Sequence, residues 1–262
     1  MSFETATAVT DGPGRWSANL EEGWDIFGVT NGGYLMAIAT RAMEAETDGR
    51  LLISATGSFT NPANPRPVDV AVESLKQGRS LSTLRATISR EGRDLVYVTG
   101  VYADPDRPIH PARLARTGPP DLPTPEDCIL TEPADDAPIP PPFTGKVELR
   151  VPSEDIESFG AAAEPRSRGW FRLRNGEGLS AHAVVLATDA FPPAIFYSNL
   201  AVGWTPTVDL AVQIRDPSPT GWLACQYATR FVSGGMLEED GEIWDENGNL
   251  VALSRQLALV PR

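Results

Sequence analysis

Apolar and polar residues follow two rhythms along this chain, and the rhythms occur in the same order twice. From Asn31 to Met43 the run contains no proline and is apolar on nearly every face, which predicts a helix buried over most of its surface. Farther on, Val68-Asp-Val-Ala-Val-Glu-Ser-Leu75 alternates at period two, as a half-buried antiparallel strand does. Strands are predicted at about 51–60, 68–76, 80–90 and 94–103. A second helix is predicted over Gly178–Asp189 and is stopped by Pro192-Pro193; strands follow at about 205–215, 221–232, 236–246 and 250–260. A strand candidate precedes each helix, near Trp16–Phe27 and Gly169–Arg174.

The spacing of turn residues supports a duplication. Gly78 and Gly92 are 14 residues apart, and so are Gly234 and Gly248. Between the halves, from about Asp104 to Thr144, lie 12 of the 24 prolines, including Pro119-Pro120 and Pro140-Pro-Pro142. Proline removes backbone donors and fixes φ, so this stretch reads as a linker. The expected division is a first unit at 1–103, a Pro-rich linker at 104–144 and a second unit at 145–262. Each unit is a sheet wrapped around one buried helix, and two such units sharing a sheet invite a jointly built ligand site.

Composition narrows the partners. The net charge of −13 repels phosphate backbones and anionic membrane surfaces, so nucleic acid and membrane are not expected partners. Two cysteines, Cys128 and Cys225, are too few for a disulfide scaffold and are expected as reduced thiols in a cytoplasmic protein. The first residues carry no signal-peptide pattern, and no stretch of about 18 apolar residues occurs.

Asn31-Gly-Gly-Tyr34, Ser58-Phe-Thr-Asn-Pro62, Gly78-Arg-Ser-Leu-Ser-Thr-Leu-Arg85, Ala187-Thr-Asp189, Thr207-Val-Asp-Leu210 and Leu253-Ser-Arg-Gln-Leu257 occur in this order across the chain. Together they resemble the double-hotdog acyl-CoA thioesterases similar to acyl-CoA thioesterase II. The resemblance implies an α+β fold, a double hotdog in which two long buried helices are each wrapped by a curved antiparallel sheet and the sheets join edge to edge. It implies hydrolysis of an acyl-CoA to free acid and CoA by a water held by an Asp, a Thr and a Gln, which fall on Asp189, Thr207 and Gln256. It also implies substrate binding at Asn31, Gly32 and Gly33, no cofactor, and association into a homodimer or larger homo-oligomer.

The chemistry suits those residue types. A carboxylate accepts the proton of attacking water, while a hydroxyl and an amide fix its orientation. The glycines let a ligand approach backbone N–H donors at a helix start, where an oxyanion would be held. Each residue also has a plain structural reading. Asp189 suits a turn before Phe191-Pro-Pro193, Thr207 suits a strand, Gln256 suits an outward position, and Gly32-Gly33 suits tight helix packing. Asp209 reads as a strand surface residue. Arg79, Arg85 and Arg230 are candidates for the CoA phosphates.

Other chemistries lack their residues. His110 and His182 are the only histidines and have no ligand-spaced partner, so no metal is expected. There is no Gly-x-Ser-x-Gly elbow, and Cys225 has no evident activating base. A hydratase or dehydratase of acyl-CoA on the same fold is the first alternative, but it asks for an Asp–His or His–Glu pair near the helix start, a setting expected for neither histidine. The second is a non-catalytic acyl-thioester-binding protein.

Overall fold

The computed structural model describes residues 1–106, 114–115, 117–134, 140–162, 164–200 and 203–260. In the first half, strands β1 (Arg15–Asn19), β2 (Leu51–Phe59), β3 (Pro67–Gln77), β4 (Leu81–Arg90) and β5 (Arg93–Ala103) lie side by side in the order β1-β3-β4-β5-β2. The second half contributes β6 (Val147–Val151), β7 (Arg166–Leu173), β8 (Thr207–Ile214), β9 (Leu223–Ala228), β10 (Met236–Asp245) and β11 (Leu250–Leu259), in the order β8-β11-β10-β9-β7-β6. Strands β2 and β8 pair antiparallel, Ser58 opposite Asp209 and Ser54 opposite Gln213, so both halves belong to one continuous sheet. The second half repeats the strand order of the first in mirror sequence outward from this seam, which is the arrangement a duplicated unit produces. Both last hairpins turn on residues with positive φ: Glu91-Gly92 forms a tight two-residue turn, and Gly248 closes a longer loop between Asp245 and Leu250.

Helix α1 (Gly32–Glu44) begins where Asn31 Oδ1 accepts a hydrogen bond from Tyr34 N at 2.8 Å, an N-cap that satisfies one of the first turn's orphan donors. Its apolar residues face the sheet and the second helix alike; Tyr34, Met36, Ile38 and Met43 are fully buried, each contributing roughly 1.5–3 kcal/mol relative to exposure. The sheet makes room for them with missing side chains. A Cβ on Gly57 would lie 2.8 Å from Met36 Sδ, and one on Gly100 would lie 2.9 Å from Met43 Cε. Tyr102 Oη then donates to Thr40 O at 2.8 Å, fixing the helix to β5.

Helix α2 (Ala181–Ala187) is shorter than the predicted 178–189, because Ser180 caps it at one end and the chain leaves helical geometry before Pro192-Pro193 at the other. All seven of its residues are buried. It packs against α1 in opposite direction. Asp189, just beyond its end, meets the start of α1, while His182, at its own start, meets Thr40 and Glu44 near α1's end.

The Pro-rich bridge holds more structure than its composition suggests. Ile129–Leu130 adds a short edge strand to β6, and Phe143 is buried with its ring 6.2 Å from Trp24, which stacks on Tyr34 at 4.9 Å. A helical turn at Phe3–Ala6 and the strand β6 are additions to the predicted elements.

Candidate active site

The start of α1 grips Asp189. Gly33 N donates to Asp189 Oδ2 at 2.9 Å, and Asn31 Nδ2 donates both to the same oxygen at 3.0 Å and to the Asp189 carbonyl at 2.8 Å. The two glycines permit this approach: a Cβ on Gly32 would lie 3.0 Å from Asp189 Oδ2 and from Phe59 Cζ, and one on Gly33 would lie 3.0 Å from Asp189 Cβ and from Leu186 O. The Gly33 amide is therefore committed to the carboxylate rather than presented to an oxyanion. Both of these side-chain bonds end on Oδ2. Burial pushes the carboxyl up from 3.8 to about 6, while the amides of Gly33 and Gly32 and the Asn31 side chain hold it down. A carboxylate near 6 is a better base than a surface aspartate and is still ionised at neutral pH.

Thr207 and Gln256 meet directly. Gln256 Nε2 donates to Thr207 Oγ1, which leaves the Thr207 hydroxyl hydrogen free to donate and Gln256 Oε1 free to accept. A β-bulge makes the meeting possible. Thr207 pairs with Ala258 and Asp209 with Leu257, so Val208 is extra. Strict alternation would put Thr207 on the face of Asp209; the bulge turns it to the inner face, where Leu210 is paired with buried Gln256. Asp209 stays on the other face, its Oδ2 accepting from Ser58 Oγ at 3.1 Å across the seam.

No hydrogen bond joins Asp189 to Thr207 or Gln256, but two routes bring the groups to one end of the molecule. Gly32 packs on Phe59, whose neighbour Ser58 is paired with Asp209, two residues from Thr207. On the other side, Asp189 interacts by charge with Glu239, and Glu239 stands opposite Gln256 in the β10–β11 ladder. Glu239 is a residue that sequence reading missed; its signal was a glutamate at a period-two inward position of β10, between Leu237 and Gly241.

The remaining candidates find partners elsewhere. Arg85 bonds Glu73, and Arg230 bonds Glu238 and Asp240, so neither is an uncommitted cation. Burial pushes the Cys225 thiol up to about 12, which removes it as a nucleophile. Both thiols are free. His110 lies outside the described residues. His182 corrects an expectation: it does sit near a helix start in a His–Glu pair, Nε2 being 2.9 Å from Glu44 Oε2. Its Nδ1 lies 3.0 Å from Thr40 Oγ1, so both ring nitrogens are taken and the ring ties the two helices together. A cavity of about 410 Å³ opens beside this pair, between Arg41, Glu44, Glu177 and Ser180, and shares no lining residue with the Asp189 site. Among the described residues no cluster of His, Cys, Asp and Glu is arranged to hold a metal, and no helix is long and apolar enough to cross a membrane.

Comparison with known proteins bears on the chain as a whole. Residues 20–103 match the model of the acyl-CoA thioesterase N-terminal domain and residues 125–260 that of the acyl-CoA thioesterase C-terminal domain. A Thermobifida fusca protein assigned as a thioesterase II is 31% identical, with 99% of this chain and 97% of that one superposed at a TM-score of 0.87. An acyl-CoA thioesterase II from Mycobacterium marinum, TesB2, has the same fold, at 16% identity and a TM-score of 0.76 over 99% of this chain and 98% of that one. Acyl-CoA thioesterase 2 of Haemophilus influenzae is 21% identical over 252 residues, 87% of this chain and 86% of its own. With both domain models matched in order and most of the chain covered, the protein belongs to the acyl-CoA thioesterase family.

Proposed function

We propose that this thioester hydrolase cleaves acyl-CoA with a water held between Asp189, Thr207 and Gln256. The water donates one hydrogen to Asp189 Oδ1 and the other to Gln256 Oε1, and it accepts from the Thr207 hydroxyl. Its oxygen bonds to the thioester carbonyl carbon while Asp189 takes the proton and the carbonyl π pair moves to oxygen. Collapse of the intermediate breaks the C–S bond; the CoA thiolate leaves and is protonated, and the acid departs. The observation that carries this reading is the bulge that turns Thr207 inward onto Gln256, since a strand residue needs no such device to satisfy its own backbone.

Asn31 and Gly33 serve here chiefly to hold Asp189, so the substrate-binding role of Asn31, Gly32 and Gly33 is one of shaping the wall beside the carbonyl. The acyl chain runs between the helices and the sheet, and CoA lies over the outside. Each half, 1–103 and 145–262, is one hotdog unit with its sheet curved about its helix, and the protein works in the cytoplasm as a homodimer or larger assembly. Exposed Phe231, Met236, Leu257 and Leu259 supply apolar surface for such association.

Free thiol released from a chain-length panel of acyl-CoAs tests the reading. Asp189→Asn should lower release by on the order of 10²–10³-fold. Near-full release by a folded Asp189→Asn protein would show that another group is the base. The water-addition alternative draws its support from the His182–Glu44 pair; loss of an enoyl-CoA chromophore without thiol release would favour it.

A further inference from the structure

Glu239 is out of place for a structural residue. It is 6% exposed, and among the described residues one donor bonds it, the Ala194 amide to Oε2. Among the described residues no arginine or lysine compensates it. The titratable groups facing it are Asp189 beyond α2, Tyr227 on β9 and Glu238 on its own strand; β11 offers only neutral Gln256, and the segment after Asp189 offers only the Ala194 N–H. Tyr227 Oη is already committed as a donor to Ala187 O. A buried carboxylate so placed is costly unless it carries a proton, and a protonated carboxyl needs an acceptor for it.

The acceptor within reach is Gln256. Glu239 and Gln256 are directly opposed on the inner face of an antiparallel pair, where Cβ atoms stand roughly 4.5–5.5 Å apart. The Gln256 amide has its Nε2 on Thr207, so Oε1 is the end left to meet a donor. We propose that Glu239 is a positioning residue of the hydrolytic site: in its protonated form it donates to Gln256 Oε1 and holds the amide with Nε2 on Thr207, and on ionising it draws Nε2 to itself, so that the amide turns and the water loses its acceptor. This rests on the water-holding roles proposed for Asp189, Thr207 and Gln256. Burial, with the charges of Asp189 and Glu238 acting against the single amide, pushes Glu239 up from 4.5 to about 7, so the proton is present where Asp189 has already lost its own.

The test is thiol release by the full-length protein from a saturating acyl-CoA across pH 5–9, comparing wild type with Glu239→Gln, Glu238→Gln and Asp189→Asn. Wild-type kcat should fall on the alkaline side, by about tenfold or more between pH 7 and pH 8.5, with KM nearly constant. Glu239→Gln retains an uncharged group and should lose that alkaline limb while keeping the acid limb set by Asp189. Glu238→Gln, the neighbour that pairs with Arg230, should keep both limbs. An unchanged alkaline limb in Glu239→Gln overturns the proposal, as does a wild-type profile with no alkaline limb. Loss of release in Asp189→Asn checks the underlying reading separately, so a failure of either is recognisable. Should Glu239→Gln not fold, infrared spectra of Asp189→Asn, which lacks the other buried carboxyl of the site, decide: a protonated-carboxyl band that disappears between pH 6 and pH 8 supports the proposal, and its absence at pH 6 refutes it.

Discussion

Replacing Asp189 by Asn should abolish most activity and at the same time stabilise the protein, because the feature that makes Asp189 a base also makes it a burden on the fold. Its folded value of about 6 lies above the ordinary 3.8, so between these values the native state binds more protons than the unfolded state. The associated stability is complete below pH 3.8 and is lost as pH rises through about 6. At about 1.36 kcal/mol per pH unit, the loss at pH 8 is about 3 kcal/mol. Asparagine removes the charge yet keeps an oxygen that can accept from Gly33 N and Asn31 Nδ2, the two bonds now made to Oδ2. For a chain of this size about 2–4 °C accompanies each kcal/mol, so Asp189→Asn should melt about 6–12 °C higher than wild type at pH 8. At pH 4 the same comparison should shrink below about 1 kcal/mol, since wild-type Asp189 is then protonated. Thermal melts of both proteins at the two pH values, run beside thiol-release assays, supply the measurement. A lower melting temperature for Asp189→Asn at pH 8, or an equal difference at both pH values, would refute the argument that burial sets this carboxyl.

Further outcomes follow from the same geometry. Thr207→Val and Gln256→Ala should each lower kcat by about 10²-fold with little change in KM, and the double variant should lose less than the product, because both act through one water; Asp209→Asn, on the opposite face, should stay within a few-fold of wild type. Gly33→Ala should reduce kcat by at least about tenfold, since its Cβ meets Asp189 Cβ and the Leu186 carbonyl at 3.0 Å and the backbone carbonyl cannot move aside cheaply; steady-state kinetics with a circular-dichroism check of folding decide it. Light scattering at working concentration should give at least twice the 28.2 kDa chain mass, and a monomer would remove the oligomer from the reading.

The strands of both halves were legible because alternation survives at one-sided burial: predicted 68–76 and 250–260 are β3 at Pro67–Gln77 and β11 at Leu250–Leu259. The first helix was legible for the opposite reason, an apolar run with a capping Asn31 at its start. What escaped depends on partners distant in sequence. Thr207 faces inward only through a bulge, and period two, read without the Ala258 and Leu257 pairing, puts it on the face of Asp209. His182 has no ligand-spaced neighbour in sequence, but antiparallel packing of the helices brings Glu44 to it from 138 residues away. Glu239 looks like any strand glutamate until its face of β10 is seen to be the inner one.

Duplication also explains why the chain has two similar helix junctions and only one candidate base. At each junction a carboxylate near the end of one helix meets the start of the other: Asp189 meets α1, and Glu44 meets α2. At the first, Gly32 and Gly33 have no side chains, so the carboxylate reaches the backbone amide. At the second, the corresponding start of α2 is Ala181-His182; the imidazole fills the space, and Glu44 is met by a side chain that is itself locked to Thr40. In the proposed mechanism the first arrangement holds a base while leaving it reactive; the second commits both partners to joining the helices. Two glycines against an alanine and a histidine thus divide one inherited geometry into a site and a fastening.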